Sequence, residues 1–220
     1  MNIKLSYQPQ QLPPPFAYAA VMEFESAENK LFLNLDLKYL EREELTDDEL
    51  RAEGFTRNDD LIWKGEVNTR WLEDIKLLGE MKMSSEPNNE NYLHIEKDDL
   101  ILGFPSNIIL ANALFQELLQ VVLEIAGIES PLKVVFVLEG ITYEIIWKFS
   151  ERVVIINEQL SSNWEIGREL MNEAFSLDFH SLESQERPTK NSLDMGEGLW
   201  YPIKDGQLIN RLNILIGKIL

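Results

Sequence analysis

The pattern of apolar and polar positions is clearest over residues 107–126. Polar side chains recur there at every fourth position, with one more beside them: Asn112, Gln116, Gln120, Glu124 and Glu117. At about 100° per residue they cover roughly 140° of a helix surface, and the rest of that surface is apolar. The pattern predicts a helix from Asn107 to Ala126, capped by Ser106 or Asn107, ended by Gly127, and covered on two sides.

This helix would be about 30 Å long, which reaches the membrane-spanning range. Its five polar side chains would each be costly in lipid. We therefore expect a soluble core helix that packs across the sheet formed by Leu132 to Ile156.

Alternating apolar positions predict antiparallel strands in two clusters. In the first cluster, residues 16–24 and 31–39 alternate on either side of a polar loop and predict a hairpin. In the second, Leu132 to Leu138 is an unbroken apolar run, and residues 141–149 and 153–156 follow across tight turns, which predicts a three-stranded meander. Because strands cluster instead of alternating with helices, the predicted fold class is α+β, with antiparallel sheets built from the two hairpin and meander segments.

Two segments carry a capping box, in which a Ser or Thr and a Glu three residues later satisfy each other's backbone N–H groups. The pairs are Thr46 with Glu49 and Ser162 with Glu165. The first pair lies in the acidic run EREELTDDEL. Since acids favour the first turn of a helix, we interpret this run as a helix start and not as a metal site.

Two further helices follow from apolar periodicity. One is predicted over residues 68–78, stopped by Gly79, and the other is an amphipathic C-terminal helix over 208–220, capped by Asp205. The apolar face of the C-terminal helix must dock on the core or on another subunit, because it would otherwise be a costly exposed patch.

A length of 220 residues fits one large domain or two small ones. We expect a single α+β domain over 1–220. If there are two lobes, they are 1–84 and 91–220, joined by the polar segment Ser84–Asn91. A weak echo relates Phe16–Glu53 to Ile141–Phe175, each a hairpin followed by a capped helix, but the residues do not match well enough to claim a duplication.

The formal net charge of −18, from 38 acids against 20 bases, disfavours binding to nucleic acid and to anionic membranes. The chain has no cysteine, which removes disulfides and thiolate chemistry and fits a reducing cytoplasm. The N-terminal stretch lacks the apolar segment of a signal peptide, so we expect a cytoplasmic protein.

Candidate chemistry is sparse. His94 and His180 are the only histidines and do not have a metal-ligand spacing, so we predict no metal site and no cofactor. The glycines of Met195–Gly198 do not complete a nucleotide-binding fingerprint, and we interpret them as a flexible loop. Trp200 and Tyr201 end the long polar stretch Ser181–Gly198. Together with His180 they are the candidate ligand- or partner-binding residues; catalytic residues are unknown.

Two classes of function remain open at this point. The first is a non-enzymatic protein that binds a protein partner or forms a homodimer. The alternative is a small-ligand-binding protein or a hydrolase-type enzyme that uses carboxylates in a cleft near residues 181–201. DNA mimicry by spaced carboxylates is a third, weaker hypothesis.

Overall fold

A computed structural model of the chain describes residues 1–10, 12–87, 91–177 and 183–220. The described residues form two compact units, Met1–Ile128 and Glu129–Leu220. Each unit contains one antiparallel sheet with α-helices. The predicted α+β class is confirmed, and the prediction of a single domain stays a prediction.

The first unit is a seven-stranded sheet with three α-helices. Its strands are β1 (Asn2–Pro9), β2 (Tyr18–Ala27), β3 (Lys30–Tyr39), β4 (Leu61–Val67), β5 (Met83–Ser84), β6 (Asn91–Lys97) and β7 (Leu100–Pro105). Its helices are α1 (Asp47–Ala52), α2 (Leu72–Glu80) and α3 (Ile108–Ile125). The strand order is β4-β3-β2-β1-β6-β7-β5, with antiparallel pairing throughout.

The helix α3 packs on the first sheet. The ring of Phe115 stacks on Tyr7 of β1 at 4.1 Å between centroids. The side-chain amide of Gln116 donates to the hydroxyls of Tyr7 at 3.4 Å and Tyr18 at 3.1 Å. We expected this helix on the sheet of Leu132–Ile156. The helix belongs to the first unit, where it directly follows the β6–β7 hairpin.

The helix α3 is long and apolar enough to cross a membrane. The core helix of a soluble protein can have the same length and composition. It buries Glu117 together with six apolar or small side chains, which is the pattern of a core helix.

The second unit is a six-stranded sheet with two helices, and its order is β11-β10-β9-β8-β12-β13. Its strands are β8 (Leu132–Leu138), β9 (Ile141–Lys148), β10 (Val153–Ile156), β11 (Gln159–Ser161), β12 (Ser192–Asp194) and β13 (Trp200–Pro202), and its helices are α4 (Trp164–Phe175) and α5 (Gly206–Ile219). The indole N–H of Trp147 donates to the carbonyl of Gly167 at 2.7 Å, which fixes α4 on the sheet.

The two units share one topology. Apart from α1 and β5, which are additions in the first unit, each unit has four strands followed by a helix, a two-stranded hairpin and a closing helix. The strand orders β4-β3-β2-β1-β6-β7 and β11-β10-β9-β8-β12-β13 then correspond one to one. The helices α1 and α4, which the sequence echo aligned, are not equivalent. The equivalent of α4 is α2, because α1 is an addition between β3 and β4.

Several local predictions are confirmed. Thr46 and Glu49 form the capping box of α1, Gly127 follows α3 at φ +70°, and Asp205 caps α5 by accepting from the N–H of Gln207 at 2.8 Å. Both β-clusters form as antiparallel ladders.

Three local predictions were wrong. The cap of α4 is Asn163, not Ser162. The helix α2 continues past Gly79 to Glu80, and Gly79 packs closely against Ile3, since a Cβ there would lie 2.9 Å from that side chain. The polar stretch 181–198 contains the buried strand β12, which pairs with β8; residues 181 and 182 lie outside the described ranges.

Two glycines test the packing of the second unit. A Cβ at Gly167 would collide with the side chain of Val154, whereas a Cβ at Gly217 in α5 would meet nothing within 4 Å. We expect Gly167→Ala to lower the free energy of unfolding by about 1–3 kcal/mol through overpacking. The matched control Gly217→Ala should raise it by up to about 1 kcal/mol, because alanine favours a helix. Urea unfolding measures both, and equal effects would contradict the close approach of α4 to β10.

Candidate functional site

The strongest candidate site lies on the first sheet, on the face opposite α3, which we call the outer face. Side chains alternate across a strand, so every residue between two core positions points to this face. The registers align Lys64, Asn34, Glu23, Lys4 and Glu96 side by side on β4, β3, β2, β1 and β6. We call these five residues the charged row.

The charged row borders a concavity of about 370 Å³. Its lining includes the carboxylates of Glu23, Glu25, Glu96, Asp98 and Asp99 and the ammonium groups of Lys4 and Lys64. Five carboxylates against two ammonium groups leave a negative site. In the part of the chain that the structure describes, no group of three or more His, Asp or Glu side chains is arranged to hold a metal ion.

The polar contacts along the concavity join different strands of the first sheet and its β6–β7 turn. The amide of Asn34 donates to Glu23 at 3.2 Å, and the ammonium of Lys4 lies 3.8 Å from a carboxylate oxygen of Glu96. The side chain of Asp98 accepts from the backbone N–H of Asn2 at 2.8 Å, which ties the β6–β7 turn to β1. The carboxylates are therefore positioned by the sheet and its turn while they stay accessible to a partner.

An aromatic cluster adjoins the charged row on β6 and β7. The rings of Tyr92, His94 and Phe104 contact one another at 5.3–6.3 Å between centroids. Ile101, opposite Glu96 in the register, is 75% exposed on the outer face. His94 thus belongs to a surface that combines aromatic, aliphatic and acidic groups.

A second concavity of about 410 Å³ lies in the second unit between α4 and α5. The guanidinium of Arg211 donates to Glu173 at 2.8 Å across it. Ile214, which is half exposed, also lines it. The groove is more open and carries fewer charges than the concavity on the outer face.

A buried arginine, which sequence reasoning missed, fixes one end of the first sheet. The guanidinium of Arg42 lies 3.6 Å from the ring centroid of Tyr39 and 4.5 Å from that of Phe55. It donates to the carbonyl of Thr56 at 2.6 Å and to the carboxylate of Asp59 at 2.7 Å. Burial raises the pKa of Asp59, but hydrogen bonds from Thr56 and Arg42 outweigh it and lower that pKa overall. A lone arginine in an acidic run carries no sequence signal that predicts such burial.

The residues chosen from the sequence lie elsewhere. Trp200 and Tyr201 are in β13, where the backbone of Trp200 exchanges two hydrogen bonds of 2.9 Å with Gln185. His180 lies outside the described residues. Neither concavity described above includes Trp200 or Tyr201, and their role as binding residues stays a prediction.

The segment Met195–Gly198, which we interpreted as a flexible loop, closes around Asp194. One carboxylate oxygen of Asp194 accepts from the backbone N–H groups of Gly196, Glu197 and Gly198 at 2.8–3.0 Å. Gly196 and Gly198 adopt φ values of +100° and +75°, which glycine permits without strain. This carboxylate has a structural role in holding the turn.

A comparison with known proteins finds no matching family, and neither the curated proteins nor the solved structures include a match to this chain.

The contact between α3 and the first sheet predicts an unusual tyrosine titration. Burial raises the pKa of Tyr18 to about 12 and outweighs the opposing hydrogen bond from Gln116. Because the pKa of Tyr18 is higher in the folded state than in the unfolded state, its contribution to the free energy of unfolding is fully present below pH about 10. This contribution is lost as the pH rises from about 10 to about 12. Tyrosinate absorbance should show a late phase to which both Tyr18 and Tyr7 contribute, because burial also raises the pKa of Tyr7. Tyr18→Phe should remove the Tyr18 part of that phase.

Gln116→Leu serves as the companion variant. It removes a hydrogen bond that favours the phenolate, so the late phase should move to still higher pH. Completion of the whole tyrosine titration near the ordinary pKa, with the protein still folded, would contradict the packing of Tyr18 beneath α3.

Proposed function

We propose that this protein is a non-enzymatic, cytoplasmic binding protein whose outer face receives a basic, partly apolar segment of a protein partner. The observation that carries the proposal is the concavity on the outer face, where five carboxylates line a space of about 370 Å³ near the exposed side chain of Ile101 and the aromatic cluster. The concavity and the exposed side chains are separate features of one surface, and they suit the same partner.

Charge supports a basic partner. The concavity has more carboxylates than ammonium groups, and the whole chain carries −18. A positively charged segment would be steered toward this surface at low salt. The two lysines in the concavity add selectivity, because they repel a segment whose positive charges are in the wrong register.

Apolar exposure supports a protein partner and not a free small cation. Ile101 on the outer face is 75% exposed, and on the same face the rings of Tyr92 and Phe104 lie 5.4 Å apart between centroids. Exposed clusters of this composition occur at protein interfaces, where aromatic side chains anchor the partner.

The alternative of a ligand-binding or carboxylate enzyme site near residues 181–201 gains less support. Asp194, an acid in this segment, is buried, and its carboxylate accepts hydrogen bonds from three backbone N–H groups. It is therefore already used to hold the turn. DNA mimicry is also less favoured, because the charged row mixes Lys4 and Lys64 with its acids where a phosphate mimic needs one sign of charge.

The proposal is tested by titration with defined peptides. The probe is a short extended peptide that alternates lysine and valine, and its comparison is the same peptide with glutamate in place of lysine. We expect the lysine peptide to bind and to shift backbone amide resonances of β1–β4 and β6. Glu23→Gln with Glu25→Gln should weaken binding by roughly tenfold, since each exposed charge pair contributes about 0.2–1 kcal/mol.

A matched control separates the site from the overall charge. Glu183→Gln with Glu186→Gln also removes two negative charges, but from exposed positions of the second unit. It should leave the affinity for the lysine peptide unchanged. Equal weakening by both double variants would show that only net charge acts. Resonance shifts confined to other elements would reject the outer face as the site.

A further inference from the structure

The four edge strands of the two sheets differ in length. The edges are β4 and β5 in the first sheet and β11 and β13 in the second. Three of them have two or three residues, whereas β4 has seven. Short edges limit pairing with other chains, and a long edge presents a row of backbone N–H and C=O groups to any strand that can reach it.

The shared topology makes this difference informative. The strand equivalent to β4 in the second unit is β11, because each is the fourth strand and pairs with the third. The second unit therefore ends its sheet at the same place with only three residues, Gln159–Ser161. The length of β4 is a property of the first unit and not a requirement of the topology.

The sequence of β4 is complementary to itself around Gly65. In an antiparallel pair of two β4 strands with Gly65 at the two-fold axis, Lys64 of one copy lies opposite Glu66 of the other, and Trp63 lies opposite Val67. On the outer face this gives two opposite-charge pairs, and on the inner face it gives two apolar pairs. Pairs of both kinds stabilise an antiparallel ladder.

We propose that a second copy of this chain pairs with β4 in this register, so that two first units form one continuous sheet about a two-fold axis. The two-fold axis makes every favourable contact occur twice. Glu66 already accepts from Lys30 at 2.9 Å, and both side chains are about half exposed. The second carboxylate oxygen of Glu66 is then available to Lys64 of the second copy.

The glycine at the axis fits this arrangement. A Cβ at Gly65 would lie 2.6 Å from the indole of Trp63, so the ring rests against the glycine on the inner face. In the paired sheet each indole covers its own Gly65 beside Val67 of the second copy. The proposal is independent of the proposed function, although Lys64 belongs to both surfaces and the pairing would place the two charged rows in line.

Charge reversal tests the register on the full chain. We expect wild type to show a concentration-dependent dimer in analytical ultracentrifugation. Lys64→Glu places glutamates opposite each other twice and should weaken the dimer by about tenfold or more. The double reversal Lys64→Glu with Glu66→Lys restores opposite charges and should recover most of the affinity. Lys38→Glu on β3, an exposed position away from the edge, is the control for net charge and should leave the dimer unchanged.

Cysteine pairing gives a second readout that does not depend on affinity. The natural chain has no cysteine, so every disulfide must come from introduced residues. An equal mixture of Lys64→Cys and Glu66→Cys should form a mixed disulfide faster than either variant forms its own, because directly opposed residues lie within disulfide reach. A monomer at all concentrations, a dimer insensitive to Lys64→Glu, or a mixture that shows no preference for the mixed disulfide would overturn the proposal.

Discussion

The structure depends on one constraint: the side chains of each antiparallel strand alternate between the two faces of its sheet. In the first sheet, every second side chain of β1–β3 is buried, and α3 covers that face through Phe115 and Gln116. The residues between them must point to the opposite side. The charged row is therefore a consequence of burial, because the core positions fix which side chains can share the outer face and in what register.

The same constraint explains what the sequence predicts well. A period of two and a period of 3.6 are local patterns, and so are caps such as Thr46 with Glu49, where both partners lie within one turn. The hairpin of β2 and β3 and the meander of β8 to β10 follow from such patterns. Local competition also accounts for the shift of the α4 cap from Ser162 to Asn163, since neighbouring polar side chains can each serve as a cap.

Contacts between distant residues could not be predicted in this way. Gln116 contacts tyrosines that are 98 and 109 positions away, and the charged row brings together Lys4 and Glu96, which are 92 positions apart. The hydrophobic periodicity of a strand does not predict which other strand will pair with it. The candidate residues Trp200 and Tyr201 were chosen for their composition, whereas the outer face became visible only when the strand order was known.

Because the two units share one strand order, corresponding strands can be compared directly. At the end of β12, the strand that corresponds to β6, the second unit has Asp194, a buried carboxylate that accepts from backbone N–H groups of its own turn. Where the first unit ends in a seven-residue edge, the second ends in three residues. The shared strand order requires neither difference. The core fixes which side chains of each strand are buried, whereas the length of an edge strand and the way an acid is held at a strand end depend on the local sequence.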